Sequence, residues 1–203
     1  MFFEPGRHKE AGLPHNPLKA LVLPRPIGWI SSLDRDGTVN LAPYSFFNAV
    51  SDDPPMVLFS ANRKLDGSAK DSVANIEATG EFVANIATYD LRAAVKKSGD
   101  AVPPEVDEIA LTGLTPVASH KVAPPSVKEA PAHLECVLER TIALPPGADG
   151  RHCTLVLGRV VGIDIDEAVL KDGLVDVRAL QPLARLGYLE YGAIFDAFEI
   201  DAD

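Results

Sequence analysis

The stretch that decides the fold covers residues 24–48 and reads PRPIGWISSLDRDGTVNLAPYSFFN. Two runs of strand character flank the polar segment from Asp34 to Gly37, and this pattern is typical of a turn between antiparallel strands. If these four residues form the loop of a hairpin, Leu33 faces Thr38 and the pairing continues outward from there. The predicted pairs are then Leu33–Thr38, Ser32–Val39, Ser31–Asn40 and Ile30–Leu41.

The two faces of this predicted hairpin differ in character, because side chains alternate along a strand. One face is apolar and carries Ile30, Val39 and Leu41. The other combines an aromatic ring with a hydroxyl and an amide, and carries Trp29, Ser31, Leu33, Asn40 and Ala42. Such a face suits a flat ligand with polar edges, but a half-exposed hairpin also presents a polar face to water. The hairpin alone leaves both interpretations open.

The rest of the chain is predicted to be mainly β with short helices. Strands are indicated by alternation or β-branched enrichment, at 27–33, 38–42, 56–60, 82–86, 134–144 and 153–165. Short helices are predicted from Ser68 to Gly80 and from Asp90 to Gly99. The segment from Pro145 to Gly150 is predicted to join two strands in an antiparallel hairpin. Many strands with few helices favour a barrel or sandwich decorated by helices.

Length and prolines bear on domain organisation. A chain of 203 residues is expected to fold as a single domain, residues 1–203. The Pro-rich region 102–131 excludes long regular elements, and a stretch of that length within one domain is typical of a functional or interface loop.

Net charge and the absence of special segments narrow the function. A formal net charge of −10 disfavours nucleic acid and anionic membranes as partners. No apolar run reaches the roughly 18 residues that span a bilayer, and the N-terminus lacks the features of a secretory signal. We therefore expect a cytoplasmic protein.

Motifs for metal, phosphate-loop and hydrolase chemistry are absent from the sequence. The two cysteines, Cys136 and Cys153, lack CxxC spacing, and the five histidines occur singly. The segment from Asp34 to Gly37 is too short for a calcium-binding EF-hand loop. No metal site is predicted, and no catalytic residue is identified.

A second chemical signal lies between Asp66 and Ser72, where a turn opens a helix. The free N–H groups and the dipole at a helix N-terminus favour an anion such as a phosphate monoester, and Lys70 and Ser72 would complete that cradle. The alternative is a capping box from Ser68 to Asp71 with Lys70 solvated.

Five short motifs together resemble the FMN-binding split-barrel family of flavin-reductase-like proteins. They follow one another in the order PRPIGWISS (24–32), NLAPYSFFN (40–48), KDS (70–72), TGEFVAN (79–85) and LEC (134–136). The resemblance extends from Leu23 to Tyr191. It implies a split β-barrel homodimer that binds FMN noncovalently near the subunit interface.

The resemblance also assigns site residues. Ser31 and Ser32 would meet the ribityl and phosphate part of FMN, and Ser60, Lys70 and Ser72 would hold the phosphate. Asn40 and the segment 42–46 would line the isoalloxazine edge, with Trp29 on the ligand face of the hairpin; the segment comprises Ala42, Pro43, Tyr44, Ser45 and Phe46. Arg185 matches an Arg-Leu-Gly motif of the family, but Tyr188 stands where relatives have a second glycine, so the role of Arg185 stays open.

Three functions are consistent with this pattern. The first is an NADH- or NADPH-dependent FMN reductase, which in this family often supplies reduced FMN to a separate monooxygenase. The second is an FMN-binding electron carrier without nicotinamide activity, and the third is a flavin-free binding module.

Overall fold

The fold consists mainly of strands connected by short helices. This computed structural model describes residues 1–148, 150 and 152–200. Its strands are β1 (Arg25–Pro26), β2 (Gly28–Leu33), β3 (Val39–Tyr44), β4 (Phe47–Asp52), β5 (Pro55–Asn62), β6 (Glu81–Ile86), β7 (Pro116–Val117), β8 (Ser126–Val127), β9 (Ala132–Ala143), β10 (Cys153–Ile165), β11 (Leu170–Lys171), β12 (Leu174–Val175), β13 (Leu183–Arg185) and β14 (Tyr191–Ala193). Its helices are α1 (Leu18–Leu21), α2 (Asp71–Thr79), α3 (Arg92–Lys97), α4 (Glu108–Thr112), α5 (Val177–Leu180) and a 3-10 helix, Glu167–Val169.

One antiparallel sheet organises the described part of the chain. Its strands follow the order β3-β2-β6-β9-β10-β5-β4. The two edge strands, β3 and β4, are consecutive in sequence and are joined by Ser45 and Phe46. The Phe46 carbonyl accepts a hydrogen bond from the backbone N–H of Ser60 on β5, at 2.8 Å. The two ends of the sheet therefore come together at this corner, but the strands do not close into a barrel.

Apolar clusters cover both faces of the sheet at β2. Ile30 belongs to a cluster with Phe59 and Phe82, whereas Trp29 and Leu41 belong to a second cluster. Because β2 is buried on both faces, its side chains point alternately into two different cores.

The register of the β2–β3 hairpin differs by one residue from the predicted register, which was wrong. Leu33 pairs with Val39, Ser32 with Asn40, Ser31 with Leu41 and Ile30 with Ala42. The reason is the side chain of Asp34, whose Oδ1 accepts the backbone N–H of Thr38 at 2.7 Å and thereby includes Thr38 in the loop. Gly37 supplies the positive φ of +88° that this turn requires.

The one-residue shift redistributes the side chains of the hairpin between its faces. Trp29, Ser31 and Leu41 now share one face. Asn40 and Ala42 lie on the opposite face, together with Ile30 and Ser32. The predicted grouping of Trp29 and Ser31 with Asn40 is therefore wrong.

The first predicted helix is confirmed, but its start differs. Helix α2 begins at Asp71 with Lys70 at the N-cap and ends at Thr79, with Gly80 as the C-cap at a φ of +79°. The alternative of a capping box from Ser68 to Asp71 is wrong, because Lys70 is the N-cap and the backbone N–H and the hydroxyl of Ser68 both donate to Asp66 Oδ1. The second predicted helix is confirmed as α3.

The long hairpin of β9 and β10 is antiparallel, as predicted. Asp149, within its predicted turn, lies outside the described residues. Two register shifts interrupt the pairing, the first between Leu157 and Gly158. At Gly158 a Cβ atom would lie 2.3 Å from Cζ of Phe82, so only glycine lets the Phe82 ring pack this closely.

The Pro-rich region folds against the sheet in short pieces, as predicted. It contains α4 and the two-residue strands β7 and β8. The carboxylate of the buried Glu135 on β9 accepts the backbone N–H groups of His120 and Lys121, at 2.8 and 2.6 Å. These bonds fix the region to the sheet.

No helix in the described ranges is long and apolar enough to cross a membrane. Residues 201–203, the end of the predicted single domain, lie outside the described part.

Candidate functional site

A cleft of ≈ 410 Å³ lies along the edge strand β3. Its walls come from β3, the 64–66 loop, the start of α2, the 98–102 segment after α3, and α4. This volume is within the roughly 300–1,000 Å³ of small-molecule sites. It brings together six of the predicted site residues, namely Asn40, Ala42, Pro43, Tyr44, Lys70 and Ser72.

The cleft is held together by a bond between β3 and α2. The side-chain amide of Asn40 donates to the hydroxyl of Ser72 at 2.7 Å, and both residues are buried. Asn40 points toward α2 because it lies on the face opposite Trp29. Ser72 is in the first turn of α2, so this hydrogen bond fixes the N-terminus of the helix at the cleft.

The start of α2 has the chemistry of an anion site. Its first N–H groups have no partner within the helix, and Lys70 lines the cleft at the N-cap. Asp71 would oppose an anion, but its carboxylate is paired with Lys64 at 2.5 Å. The pairing reduces the repulsion that this acidic residue would otherwise exert on a phosphate.

Tyr44 forms another part of the cleft and packs on Phe59, with ring centroids 4.7 Å apart. Burial raises the pKa of Tyr44 to about 12, and the carboxylates of Asp71 and Glu108 act in the same direction, whereas a hydrogen bond with Ser72 opposes them. The phenol is therefore neutral at neutral pH and can donate or accept hydrogen bonds.

Glu108 is an ionisable residue that the sequence did not indicate. It is buried on α4, and its Oε2 accepts the backbone N–H of Leu41 at 2.9 Å. Burial raises the pKa of Glu108, and the N–H of Leu41 partly offsets this effect. The bond satisfies an N–H of the sheet edge and holds α4 against β3.

Trp29 lies behind the cleft and not in its wall. The side chain is fully buried, and its Nε1 donates to Ser98 Oγ at 2.8 Å. Ser98 itself lines the cleft. Trp29 thus positions the 98–102 segment.

Ser31 and Ser32 are fully buried and do not line the cleft. The Ser31 hydroxyl donates to the carbonyl of Pro125 at 2.6 Å, and the Ser32 hydroxyl accepts from the side-chain amide of Asn75 at 3.3 Å. The structure does not bring either hydroxyl to the cleft lining, and their contact with FMN stays a prediction.

Ser45, Phe46 and Ser60 lie at the corner where the two edges of the sheet meet, and they do not line the cleft. The Phe46 ring is partly exposed beside Lys19 and Arg25, whose cationic groups lie 5.8 and 5.9 Å from its centroid. Their proposed contacts with FMN also stay predictions.

Arg185 is on β13 and does not line the cleft. Its Nη2 donates to the carbonyl of Tyr188 at 2.7 Å, and its guanidinium lies 4.4 Å from the centroid of the Tyr191 ring. Tyr188 has a φ of +54°, a conformation that favours glycine. A tyrosine thus adopts the backbone geometry usually reserved for the glycine expected at this position.

Sequence reasoning missed Glu108, Ser98 and Lys64. A local pattern could have indicated the position of Glu108, because the carboxylate of Asp107 caps α4 and Glu108 follows it in the first turn. The contacts of Glu108 with Leu41 and of Ser98 with Trp29 join residues far apart in sequence, and no local pattern indicates them. No group of three potential metal ligands occurs in the part of the chain that the structure describes.

Comparison with known proteins gives a consistent result. The family model described as "Flavin reductase like domain" matches residues 20–183. Nitrilotriacetate monooxygenase component B from Bacillus cereus is 35% identical, with 98% of each chain covered and a TM-score of 0.89. Flavoredoxin of Desulfovibrio vulgaris is 26% identical, with 94% of this chain and 95% of that chain covered and a TM-score of 0.78.

The fold is that of a split barrel. A Shewanella frigidimarina protein whose structure is described as having a split barrel domain has a TM-score of 0.78 at 21% identity, with all of both chains covered. The predicted fold class is thereby confirmed.

Proposed function

Because the chain belongs to the flavin reductase like family, we propose that it binds FMN in the cleft along β3 and reduces it with NADH or NADPH. The observation that carries the proposal is that one cleft combines a helix N-terminus suited to a phosphate with an apolar surface suited to a flat ring. A helix N-terminus with Lys70 lies at one side, and Pro43 and Tyr44 of the edge strand lie at another.

The residues of the cleft fit FMN. The phosphate is expected at the start of α2, where the N–H groups, Lys70 and Ser72 favour a dianion. The isoalloxazine ring is expected along β3, where Tyr44 and Pro43 provide apolar surface. Asn40 holds the edge strand β3 against the start of α2 through its bond to Ser72.

When bound, FMN supplies the electron-accepting centre, so hydride transfer needs no side-chain nucleophile. The protein has to orient the ring and stabilise the charge that develops on its edge. The backbone N–H groups near Tyr44 to Phe46 are the candidates for that edge. Ser98 and its segment close the opposite side of the cleft.

A second candidate is an FMN-dependent electron carrier, which the likeness to flavoredoxin favours. The two candidates share the FMN site and differ only in whether a nicotinamide donor reacts. A flavin-free module remains the third, and FMN binding decides against it.

The proposal includes two protein partners. The likeness to component B of a monooxygenase supports delivery of reduced flavin to an oxygenase. A homodimer with FMN near its interface is supported by two exposed apolar side chains of α1. Leu18 is 59% exposed and Leu21 is 75% exposed. Lys19, in the same helix, lies over the ring of Phe46. Light scattering coupled to gel filtration measures this dimer, and a monomer would exclude it. A cytoplasmic location stays a prediction.

The decisive experiment has two stages. The purified protein is titrated with FMN, and flavin absorbance is measured on the protein fraction after gel filtration. NADH or NADPH is then added, and its oxidation is recorded with and without FMN. FMN-dependent oxidation supports the reductase, tight FMN binding without oxidation supports the carrier, and no FMN binding excludes both.

A further inference from the structure

A second cavity, of ≈ 610 Å³, adjoins the FMN cleft. The two cavities share Lys64, Leu65 and Lys70. Lys70 is the residue proposed to hold the FMN phosphate, so this second cavity begins where the FMN molecule would end. We call it the Arg63 cavity.

The Arg63 cavity differs from the cleft in charge. Besides its two lysines, the cleft is lined by four acidic residues, Asp66, Asp71, Asp100 and Glu108. The Arg63 cavity is lined by the cations Arg63, Lys64 and Lys70 and by the imidazole of His152, with no carboxylate among the described residues that line it. In a chain with a net charge of −10, this local concentration of cations marks a place for an anion.

Arg63 is held in place by partners that do not neutralise its charge. Its Nε donates to Nε2 of His152 at 2.9 Å, and its Nη1 donates to the carbonyl of Gly67 at 3.1 Å. The acceptors of these two bonds are an imidazole nitrogen and a backbone carbonyl, and neither is an anion. The guanidinium is therefore fixed in orientation and keeps its positive charge, which is the arrangement that binds phosphate.

Lys64 provides the contrast. Its ammonium group is paired with Asp71 at 2.5 Å, so its charge is already compensated. Neither described partner of Arg63 carries a negative charge. Arg63 is thus the cation that lines this cavity and not the cleft, whereas Lys70 lines both.

The rest of the lining suits a nucleoside. Leu65, Leu144 and Pro145 give the Arg63 cavity apolar surface beside the cations. An adenosine ring can pack on such a surface while its phosphate meets the guanidinium.

We propose that the Arg63 cavity is a second phosphate subsite, which binds the adenylate phosphate of a dinucleotide while the FMN phosphate occupies the start of α2. The dinucleotide is either FAD, whose adenylate continues from the flavin phosphate, or the nicotinamide donor lying against the flavin. The position of this subsite beside a flavin phosphate rests on the function proposed above, whereas its phosphate affinity rests on Arg63.

The test measures ligand affinities of the flavin-free full chain by titration calorimetry. FMN, FAD, ADP and 2′,5′-ADP are titrated into the wild type, Arg63→Leu and Arg63→Lys, with Arg35→Leu in the exposed β2–β3 loop as the matched control. Circular dichroism verifies that each variant is folded. Arg63→Lys keeps the positive charge but lacks the forked geometry of the guanidinium. Its affinity for the phosphate ligands should therefore lie between that of the wild type and that of Arg63→Leu.

For Arg63→Leu we expect the affinity for ADP to fall about 10- to 100-fold, with FMN affinity unchanged. An equal fall for FAD identifies FAD as the source of the phosphate. A fall for ADP and 2′,5′-ADP with FAD unchanged identifies the nicotinamide donor. Arg35→Leu should bind every ligand as the wild type does.

Two outcomes overturn the subsite. One is that ADP, 2′,5′-ADP and FAD all bind Arg63→Leu as tightly as the wild type. The other is that FMN loses as much affinity as FAD, since Arg63 would then belong to the flavin phosphate site. If the wild type binds ADP through Arg63 but does not bind FMN, the proposed function fails and the subsite stands.

Discussion

The side-chain amide of Asn40 donates to the hydroxyl of Ser72 across 2.7 Å, and this bond joins the edge strand β3 to the first turn of α2. Both residues are buried, so water has little access to replace either partner. Removal of one partner leaves the other unsatisfied in the interior, which is costly.

We expect Ser72→Ala to lower the free energy of unfolding by about 1 to 3 kcal/mol, because the buried Asn40 amide loses its acceptor. A cycle with Asn40→Ala and the double variant isolates the pair, with an expected coupling of about 0.5 to 1.5 kcal/mol. Urea denaturation measures all four proteins. Strictly additive losses would mean that the two residues do not interact.

Lys70→Ala is expected to weaken FMN binding by about 1 to 3 kcal/mol, through loss of a charge-assisted bond to phosphate. Lys70 makes no side-chain cap to α2, so the free energy of unfolding should not change. Fluorescence titration of FMN measures the affinity. Lys171→Ala, in the exposed strand β11, is the matched control. Unchanged FMN affinity in Lys70→Ala would show that Lys70 is only solvated.

Glu108→Gln should change how stability depends on pH. Burial raises the pKa of Glu108 above the ordinary value of 4.5, so the folded state holds this proton at pH values where the unfolded chain has released it. The free energy of unfolding of the wild type therefore receives a contribution that falls as pH rises from 4.5 through the raised pKa.

Glutamine does not titrate, and its side-chain oxygen can still accept the N–H of Leu41. The stability of Glu108→Gln relative to the wild type should thus increase from about pH 4 to about pH 7. Urea denaturation at several pH values measures the difference. A difference that moves in favour of the wild type would contradict the raised pKa.

Gly158→Ala is expected to destabilise the fold by about 1 to 3 kcal/mol, because its Cβ would overlap the buried ring of Phe82. Gly192→Ala is the control, since its Cβ would lie 3.2 Å from the mobile end of Leu186. Thermal unfolding compares the two. A Gly158 variant as stable as the control would mean that the ring moves aside freely.

Local sequence signals predicted the elements of this fold well. The strand β10 and the end of α2 at Gly80 follow directly from β-branched alternation and from the conformational freedom of glycine. A helix start beside Lys70 was also predictable, because it depends on neighbouring residues alone, whereas anion binding there stays a prediction.

The hairpin register was not predictable from the same signals. One carboxylate, Asp34, decides whether Thr38 belongs to the loop or to the strand, and a one-residue shift reverses the faces. Trp29 consequently lies in a core, although Asn40 and Ala42, which were predicted to share its face, line the cleft. Glu108 could not be placed either, because its partner Leu41 lies on a strand 67 residues away in sequence.

The same bond between Glu108 and Leu41 is expected to disfavour aggregation through the edge strand β3. An edge strand exposes a row of N–H groups to which a strand of another molecule can add. On β3 the outward N–H of Leu41 is occupied by a carboxylate, and the next outward position is Pro43, which has no N–H. The strand that forms the wall of the cleft therefore cannot pair with a strand of another molecule at these positions. The cleft can stay open to a ligand without leaving these backbone N–H positions available for such pairing.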